Sequence, residues 1–504
     1  GRVTKKSSRV SLADSSQQET TLAYLGAFTQ VTDPLSRTTK WAKDPGGLLR
    51  QSINHEGNGQ TFGYDSFGSL TGVSQGANIL FSATYDYGSA AFRRTAVDMD
   101  LGSSSYVVNA LGEIKTHTDN AGSTFSYEYD ALSRPTLRTV AGEGNTSWNW
   151  GNSSAARNIG QLESLTSVGG TTQTYQYDTK GRLKERDITA DGTTYAYEFS
   201  YNATTGLLDT MTYPATVGTR LKLQYGYQNG LLKQISNFNA TSTVYWQAGA
   251  TNPRGQLTQE ILGNGVQIAS NYDPVTGFLS TLQSGVGGGS GLQNESYAYD
   301  KLGNLTQRKN VALSLTEDFY YDTLYRLDSS KLNGVTNLDV DYDSMGNITK
   351  RCEPTCAANP TWGYDASRKH AVLTAPVGST TYTYGYDANG NVNSRNGYSV
   401  GWNKYNYPTL INGPGESIAL SYDADHQRWK QVLTPQSGSV ETTLYIGGLL
   451  DKVTTGSTTE WRHSIQGGGK KVALVTRSSS GTDTTRYFLD DHQGSISKIL
   501  NSSG

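Results

Sequence analysis

Cysteine occurs twice in 504 residues, methionine three times and histidine six times, and each scarcity removes a class of protein. Two cysteines cannot staple a chain this long, so disulfides do not hold the fold together. Cys352 and Cys356 stand in Cys-Glu-Pro-Thr-Cys, where a local disulfide across a turn and two free thiols are both open readings. A zinc site there is disfavoured, because zinc takes about four ligands and no second pair of Cys or His lies nearby. None of His55, His117, His370, His426, His463 and His492 has a partner at metal-ligand spacing. No apolar run is long enough to span a bilayer, and Gly1-Arg2-Val3-Thr4-Lys5-Lys6 lacks the apolar stretch of a signal peptide. Starting without Met in polar, strand-like sequence, the chain reads as part of a longer protein. A formal net charge of −2 leaves no basic footprint for nucleic acid.

What is abundant points one way. There are 33 tyrosines and 57 glycines against 12 prolines, with many Ser and Thr. Aromatic and β-branched residues fit a pleated, half-buried surface, and Gly and Asn supply the turns between strands. The expected class is all-β, built of many short strands. Apolar residues make up only 35%, low for one thick core. Tyrosine compensates, since its ring buries area while its hydroxyl stays wet or hydrogen-bonded. Such a composition suits a thin, curved sheet with one wet face and does not fit disorder.

One unit recurs: alternating aromatic and polar residues, then Tyr-Asp, two variable residues, Gly, one variable residue, and Leu or Ile opening a polar strand. Copies stand at Tyr64-Asp65 with Gly68, Tyr177-Asp178 with Gly181, Tyr299-Asp300 with Gly303, Tyr342-Asp343 with Gly346, and Tyr386-Asp387 with Gly390. Weaker copies occur at Tyr129-Asp130, Tyr272-Asp273, Tyr321-Asp322, Tyr364-Asp365 and Tyr422-Asp423, while Asn202 follows Tyr201 and Gln228 follows Tyr227 in place of Asp. The step between tyrosines 299, 321, 342, 364 and 386 equals two strands plus two turns. Within a copy, alternate residues face opposite sides of a strand. Asp300 ends that strand and can accept amides of the turn, Gly303 supplies a positive φ, and Leu305 begins the returning strand. Each copy is therefore expected to be a β-hairpin, and copies side by side make a long twisted ribbon. A Tyr-Asp pair repeated at even intervals is a corner rather than one active site.

These copies resemble the YD-repeat proteins: bacterial RHS (rearrangement hot spot) proteins, the shell-forming subunits of ABC toxin complexes, and teneurins. The resemblance covers the chain from about Thr32 onward. The segment Arg486 to Leu500 resembles the RHS Tyr-x-x-Asp-x-x-Gly-Ser segment, through Asp490, Asp491, His492, Gly494 and Ser495. The implied organisation is one continuous region: entry strands in 1–31, YD repeats in 32–485, and the RHS-like terminal segment in 486–504. The implied fold is an antiparallel sheet spiralling into a hollow shell. The implied function is a structural, non-enzymatic container of a polymorphic toxin, with a C-terminal toxin or effector as cargo. A secretion apparatus, chaperone or immunity protein would be further partners, and the place of action would be outside the cell or on its surface. The core that carries aspartyl autoproteolysis in many members would follow this segment, so cleavage cannot be assigned to residues here.

The sequence offers little competing chemistry. Asp490-Asp491-His492 is the best local candidate for acid–base work, against a plain hydrogen-bonded turn beside Gly494. Asp423-Ala424-Asp425-His426 admits the same two readings. Ser284 to Gly291 is glycine-rich, but no helix and no Lys-Ser/Thr pair follow, so a flexible loop is expected. Asp33-Pro34, Asp44-Pro45 and Asp273-Pro274 match repeat turns, and the Asn-x-Ser/Thr triplets at Asn202, Asn239, Asn304 and Asn347 are expected by chance. Trp148, Trp150, Trp246, Trp362, Trp402 and Trp461 could stack on sugars, or could cap sheet edges and fill gaps between hairpins. The alternative to a container is thus a cell-surface module binding carbohydrate or a partner. No cofactor is expected.

Overall fold

The computed structural model describes residues 2–9, 17–88, 92–353 and 362–504. Among these residues there is no helix, and strands pair antiparallel with their neighbours in sequence. The chain divides into two compact units, each assembled from separate runs. Unit 1 takes Gly1–Ser123, Asn271–Thr281 and Asn294–Asn396, and unit 2 takes Thr124–Ser270, Leu282–Gln293 and Gly397–Gly504.

The strands Leu327–Leu332, Val335–Tyr342 and Ile348–Cys352 show how the sequence dictates a repeat. Leu332 pairs with Val335 across Asn333-Gly334, whose φ values of 49° and 81° are those a two-residue hairpin needs to match strand twist. At the other end Tyr342 pairs with Ile348 after a one-residue shift in register, so the chain turns through the longer corner that begins at Asp343. Corner at one edge and short turn at the other is the period read from the tyrosine spacing. Asn396-Gly397 and Asp191-Gly192 make the same short turn.

Unit 1 is thin. Its few buried apolar side chains include Ala42, Ala83, Ala96, Tyr297 and Val340. Its early and late runs meet edge to edge, turn against turn. The Gln75 side-chain amide donates to the Ser344 carbonyl at 2.8 Å, the Ala121 N–H to Asn389 Oδ1 at 2.8 Å, and the Asn389 amide to Asp119 Oδ2 at 2.8 Å. His370 Nδ1 lies 2.7 Å from Asp100 Oδ2. These partners are 268 to 270 residues apart in sequence. Cys352, buried at the end of its strand, is disulfide-bonded, while Cys356 lies outside the described residues.

Unit 2 is dry inside. Ile188, Leu223, Ile235, Leu262, Ile446, Leu450, Ile465 and Leu489 are each at most 5% exposed, an apolar core of the ordinary kind. Two phenols bridge it: Tyr197 Oη donates to the Ile446 carbonyl at 2.7 Å and Tyr213 Oη to the Ser464 carbonyl at 2.7 Å. The backbones approach so closely that a Cβ added to Gly169 would lie 1.9 Å from the Tyr422 carbonyl oxygen, which requires glycine there. The segment expected as a loop from Ser284 is partly strand, since Leu279–Val286 is extended, and the chain turns only after Val286. Ser284 is fully buried, so packing holds the first residues of the glycine-rich stretch in the sheet.

Candidate functional site: the repeated corner and the terminal segment

In the corner at Asp300 the backbone closes twice, Asp300 N–H donating to the Asn304 carbonyl at 2.9 Å and Gly303 N–H to the Asp300 carbonyl at 3.1 Å. The carboxylate closes it again: Oδ1 accepts from the N–H of Leu302 and of Asn304 at 2.8 and 2.9 Å, and Oδ2 from the Asn304 side chain at 2.8 Å. Gly303 stands at φ 92°. The same Oδ1 geometry, 2.8–3.0 Å to the second and fourth following amides, holds at Asp65, Asp130, Asp178, Asp322, Asp343, Asp387 and Asp423. Gly68, Gly181, Gly346 and Gly390 all have positive φ. Asp suits the position because its side chain is short enough to reach its own turn, as in any Asx turn.

The tyrosines reach back to the backbone of the residue that ends the preceding motif. Tyr321 Oη donates to the Leu305 carbonyl at 2.8 Å, Tyr342 to Leu327 at 2.9 Å, Tyr364 to Ile348 at 2.8 Å and Tyr386 to Val372 at 2.8 Å. Tyr177 and Tyr422 make the same bond to Leu162 and Pro408. Each tyrosine thus clamps the strand opened by the preceding corner, which joins one repeat to the next. Where the fifth corner residue is Arg it does both jobs. Arg182 donates from Nε to Asp178 Oδ2 at 2.8 Å and lies 4.2 Å from the centre of the Tyr201 ring. Its guanidinium holds the Asp178 carboxyl down at about 2, and Arg134 lowers Asp130 in the same way.

The weaker copies fail in sequence for identifiable reasons. Ser133, Tyr325 and His426 occupy the glycine position at φ 61°, 67° and 60°, so the corner survives with a side chain in the left-handed region. Ser133→Gly is expected to raise stability by about 0.5 kcal/mol, the left-handed strain relieved less the added freedom of the unfolded chain. A denaturant midpoint that stays put or falls would show that the Ser133 side chain contributes instead. At Tyr272-Asp273 and Tyr364-Asp365 the turn is longer, closing on Phe278 and Ala371. Asn202 closes a similar longer turn on Leu207. Gln228 makes no corner. Its strand continues to pair with Leu231, and Asn229-Gly230 turns the chain, because a glutamine is one methylene too long for the Asx turn.

The terminal segment is another corner. Asp491 Oδ1 accepts from the N–H of Gln493 and Ser495 at 2.8 and 2.9 Å, Gly494 has φ 82°, and His492 is the residue after the corner aspartate. Asp490 stands in the place of the repeat tyrosine, paired with Ile496. Its carboxyl is pushed up by burial, and further by Glu260, against the pull of Lys470. Lys470 Nζ lies 2.9 Å from Glu260 Oε1 and 3.8 Å from Asp490 Oδ2, and Glu260 Oε2 accepts the Trp246 indole N–H at 2.7 Å. Asp490 and Asp491 therefore point to different places: one joins a buried ion network, the other closes a turn.

Against known families, the RHS Repeat profile matches residues 108–146, the stretch containing the Asp130 corner. That stretch is an RHS repeat, and the other Asp corners share its geometry. A search of curated proteins finds no match. Among solved structures, a mutant of the Photorhabdus luminescens Tc holotoxin pore is 17% identical with a TM-score of 0.78, over 97% of this chain and 28% of that one. TcdB2-TccC3 is 17% identical with a TM-score of 0.79, over 97% and 29%. TcdB2-TccC3 without its hypervariable C-terminal region is 16% identical with a TM-score of 0.75, again over 97% and 29%. The chain shares their all-β, long-sheet fold and spans less than a third of their length.

Several corners of the chain carry no Tyr-Asp. Asn54, Asn109, Asn252 and Asn403 accept the same two amides through Oδ1. Asp33 does so with Pro next in the turn, and Asp44, also followed by Pro, accepts the amide of Leu48. The legible signal was Asp or Asn three residues before Gly, Ser or Asn, without regard to the preceding aromatic. Trp150 serves the sheet as the tyrosines do, donating its indole N–H to the Pro135 carbonyl at 2.9 Å, and Arg138 lies over the Trp148 ring.

Proposed function

We propose that this chain forms part of the wall of an encapsulating shell of an RHS-type polymorphic toxin, which encloses a C-terminal effector until delivery. The observation that carries this reading is the match of fold along 97% of the chain to TcdB2-TccC3, at nearly the same TM-score with and without the hypervariable C-terminal region of that protein. The likeness thus resides in the sheet and not in whatever that region adds. The corners support a mechanical role. The corner carboxylates are engaged by the amides of their own turns, and Arg134, Arg182 and Arg326 fix three of them further. A wall made this way needs no catalytic group; it excludes proteases and solvent by continuity of its hydrogen bonds. Secretion to the cell exterior and a chaperone or immunity protein for the cargo belong to the same proposal.

Limited proteolysis of the native gene product, followed by intact mass, tests it. A C-terminal region that resists protease until the sheet is unfolded supports enclosure. Release of that region at the rate of an exposed linker, with the sheet intact, overturns it.

A further inference from the structure

Unit 2 contains a cavity of about 630 Å³ bounded by the strands Leu183–Ala190, Arg428–Pro435 and Leu450–Thr455, and part of its polar lining is left unused by the fold. Gln173 on its wall is only 3% exposed. Its Oε1 accepts from Tyr175 Oη at 2.8 Å and from Arg186 Nε and Nη2 at 3.1 and 2.8 Å. That fixes the side chain while its amide nitrogen, a double donor, has no hydrogen-bond partner among the described residues.

Asp423, also on the wall, is the corner aspartate that departs from the rule. Its fifth residue is Gln427, whose side chain turns to the Asp425 carbonyl at 3.5 Å instead of capping Asp423. Burial pushes its carboxyl up, where Arg134 and Arg182 pull those of Asp130 and Asp178 down. Asp451 faces the same space with neither a hydrogen bond nor an ion pair among the described residues, and Lys471 has no ion pair there either. Arg428 lies over the Tyr445 ring at 4.5 Å.

Counted by charge, the lining balances: Asp423, Asp425 and Asp451 against Arg186, Arg428 and Lys471. An anion would meet three carboxylates and a cation three positive side chains. A neutral ligand rich in hydroxyls meets neither penalty, because each hydroxyl donates to a carboxylate and accepts from an N–H. The volume lies within the range of small-ligand sites, on the order of 300–1,000 Å³. We propose that this cavity is a binding site for a neutral saccharide of two or three sugar units, held by Gln173, Asp423, Asp451 and Lys471 beside Trp429 and Tyr445. The proposal is independent of the container reading, since it concerns unit 2 alone.

Tryptophan fluorescence titrated with maltotriose, cellotriose and chitotriose is the test, with sialyllactose, free amino acids and glycerol alongside. At least one neutral trisaccharide is expected to give a saturable change. Asp451→Asn and Lys471→Gln should each weaken it roughly tenfold, the loss of one charged hydrogen bond. Asp339→Asn, at a surface ion pair in unit 1, should leave it unchanged. Far-ultraviolet circular dichroism identifies any variant that misfolds, and the other then decides. Absence of saturation with every neutral sugar, binding that survives both substitutions, or preference for sialyllactose or an amino acid would each overturn the proposal.

Discussion

Between pH 10 and 12 the protein is expected to unfold cooperatively, with loss of β-sheet circular dichroism and the rise of tyrosinate absorbance occurring together. Burial pushes Tyr225, Tyr405 and Tyr487 up to about 12 and raises Tyr197 and Tyr213 further still. The repeat tyrosines Tyr177, Tyr321, Tyr342, Tyr364, Tyr386 and Tyr422 are raised as well, burial again leading. An unfolded tyrosine ionises near pH 10. Each raised phenol therefore contributes stability that is fully present below pH 10 and is lost as pH climbs toward the folded value. Tyr225, Tyr405 and Tyr487 alone, discounted for partial exposure, remove on the order of 5 kcal/mol by pH 12, comparable to the whole stability of a typical domain. The structural reason is that tyrosine serves here as clamp and core at once: its ionised oxygen can no longer donate to the Leu or Ile carbonyl of the preceding repeat. Tyrosinate appearing in full with the sheet intact would mean that these phenols are already in water.

Glu260→Ala should destabilise unit 2 by about 3 kcal/mol, the usual cost of removing one partner from a buried ion network. Glu260 is 6% exposed and binds both the Trp246 indole and Lys470. Without it Trp246 keeps a buried N–H with no acceptor, and Lys470 retains only Asp490, at 3.8 Å. Glu260→Gln preserves an acceptor for the indole and is expected to cost roughly half as much. The denaturant midpoint of the transition that changes tryptophan fluorescence measures both. A loss below about 1 kcal/mol for the alanine variant would indicate that water already serves Lys470 and the indole, as at exposed pairs. With Glu260 gone, one of the causes raising Asp490 disappears, so its carboxyl should titrate lower.

Much of this was legible in the residues because the repeat is local. Asp343, Gly346 and Ile348 lie within six positions of one another, and one Asx turn with a positive φ dictates all three. The short turns were equally readable from Asn333-Gly334 and Asn396-Gly397. What escaped were corners whose chemistry is the same but whose leading letters differ, such as Trp402-Asn403 for Tyr-Asp, while those with Ser133 or His426 for glycine were legible only as weaker copies. There the strands on either side impose the turn, and a left-handed Ser or His is tolerated because flanking pairing outweighs its strain. Gln228 errs the other way, keeping the repeat's position while its longer side chain cannot close the turn.

By itself, then, the sequence determined the strand, the corner, the period and the all-β class, since each rests on interactions between residues about twenty positions apart or fewer. Only the tertiary structure decided what each copy of the motif faces. That Asn389 meets Asp119, that Tyr197 reaches Ile446, and that Lys470 reaches Glu260 all depend on partners 210 to 270 residues distant. Identical corners carry no information about which distant turn they will meet. The same Tyr-Asp letters consequently mark an exposed turn at Asp65 and a half-buried carboxylate on a cavity wall at Asp423, the difference being set by the run of chain packed against them.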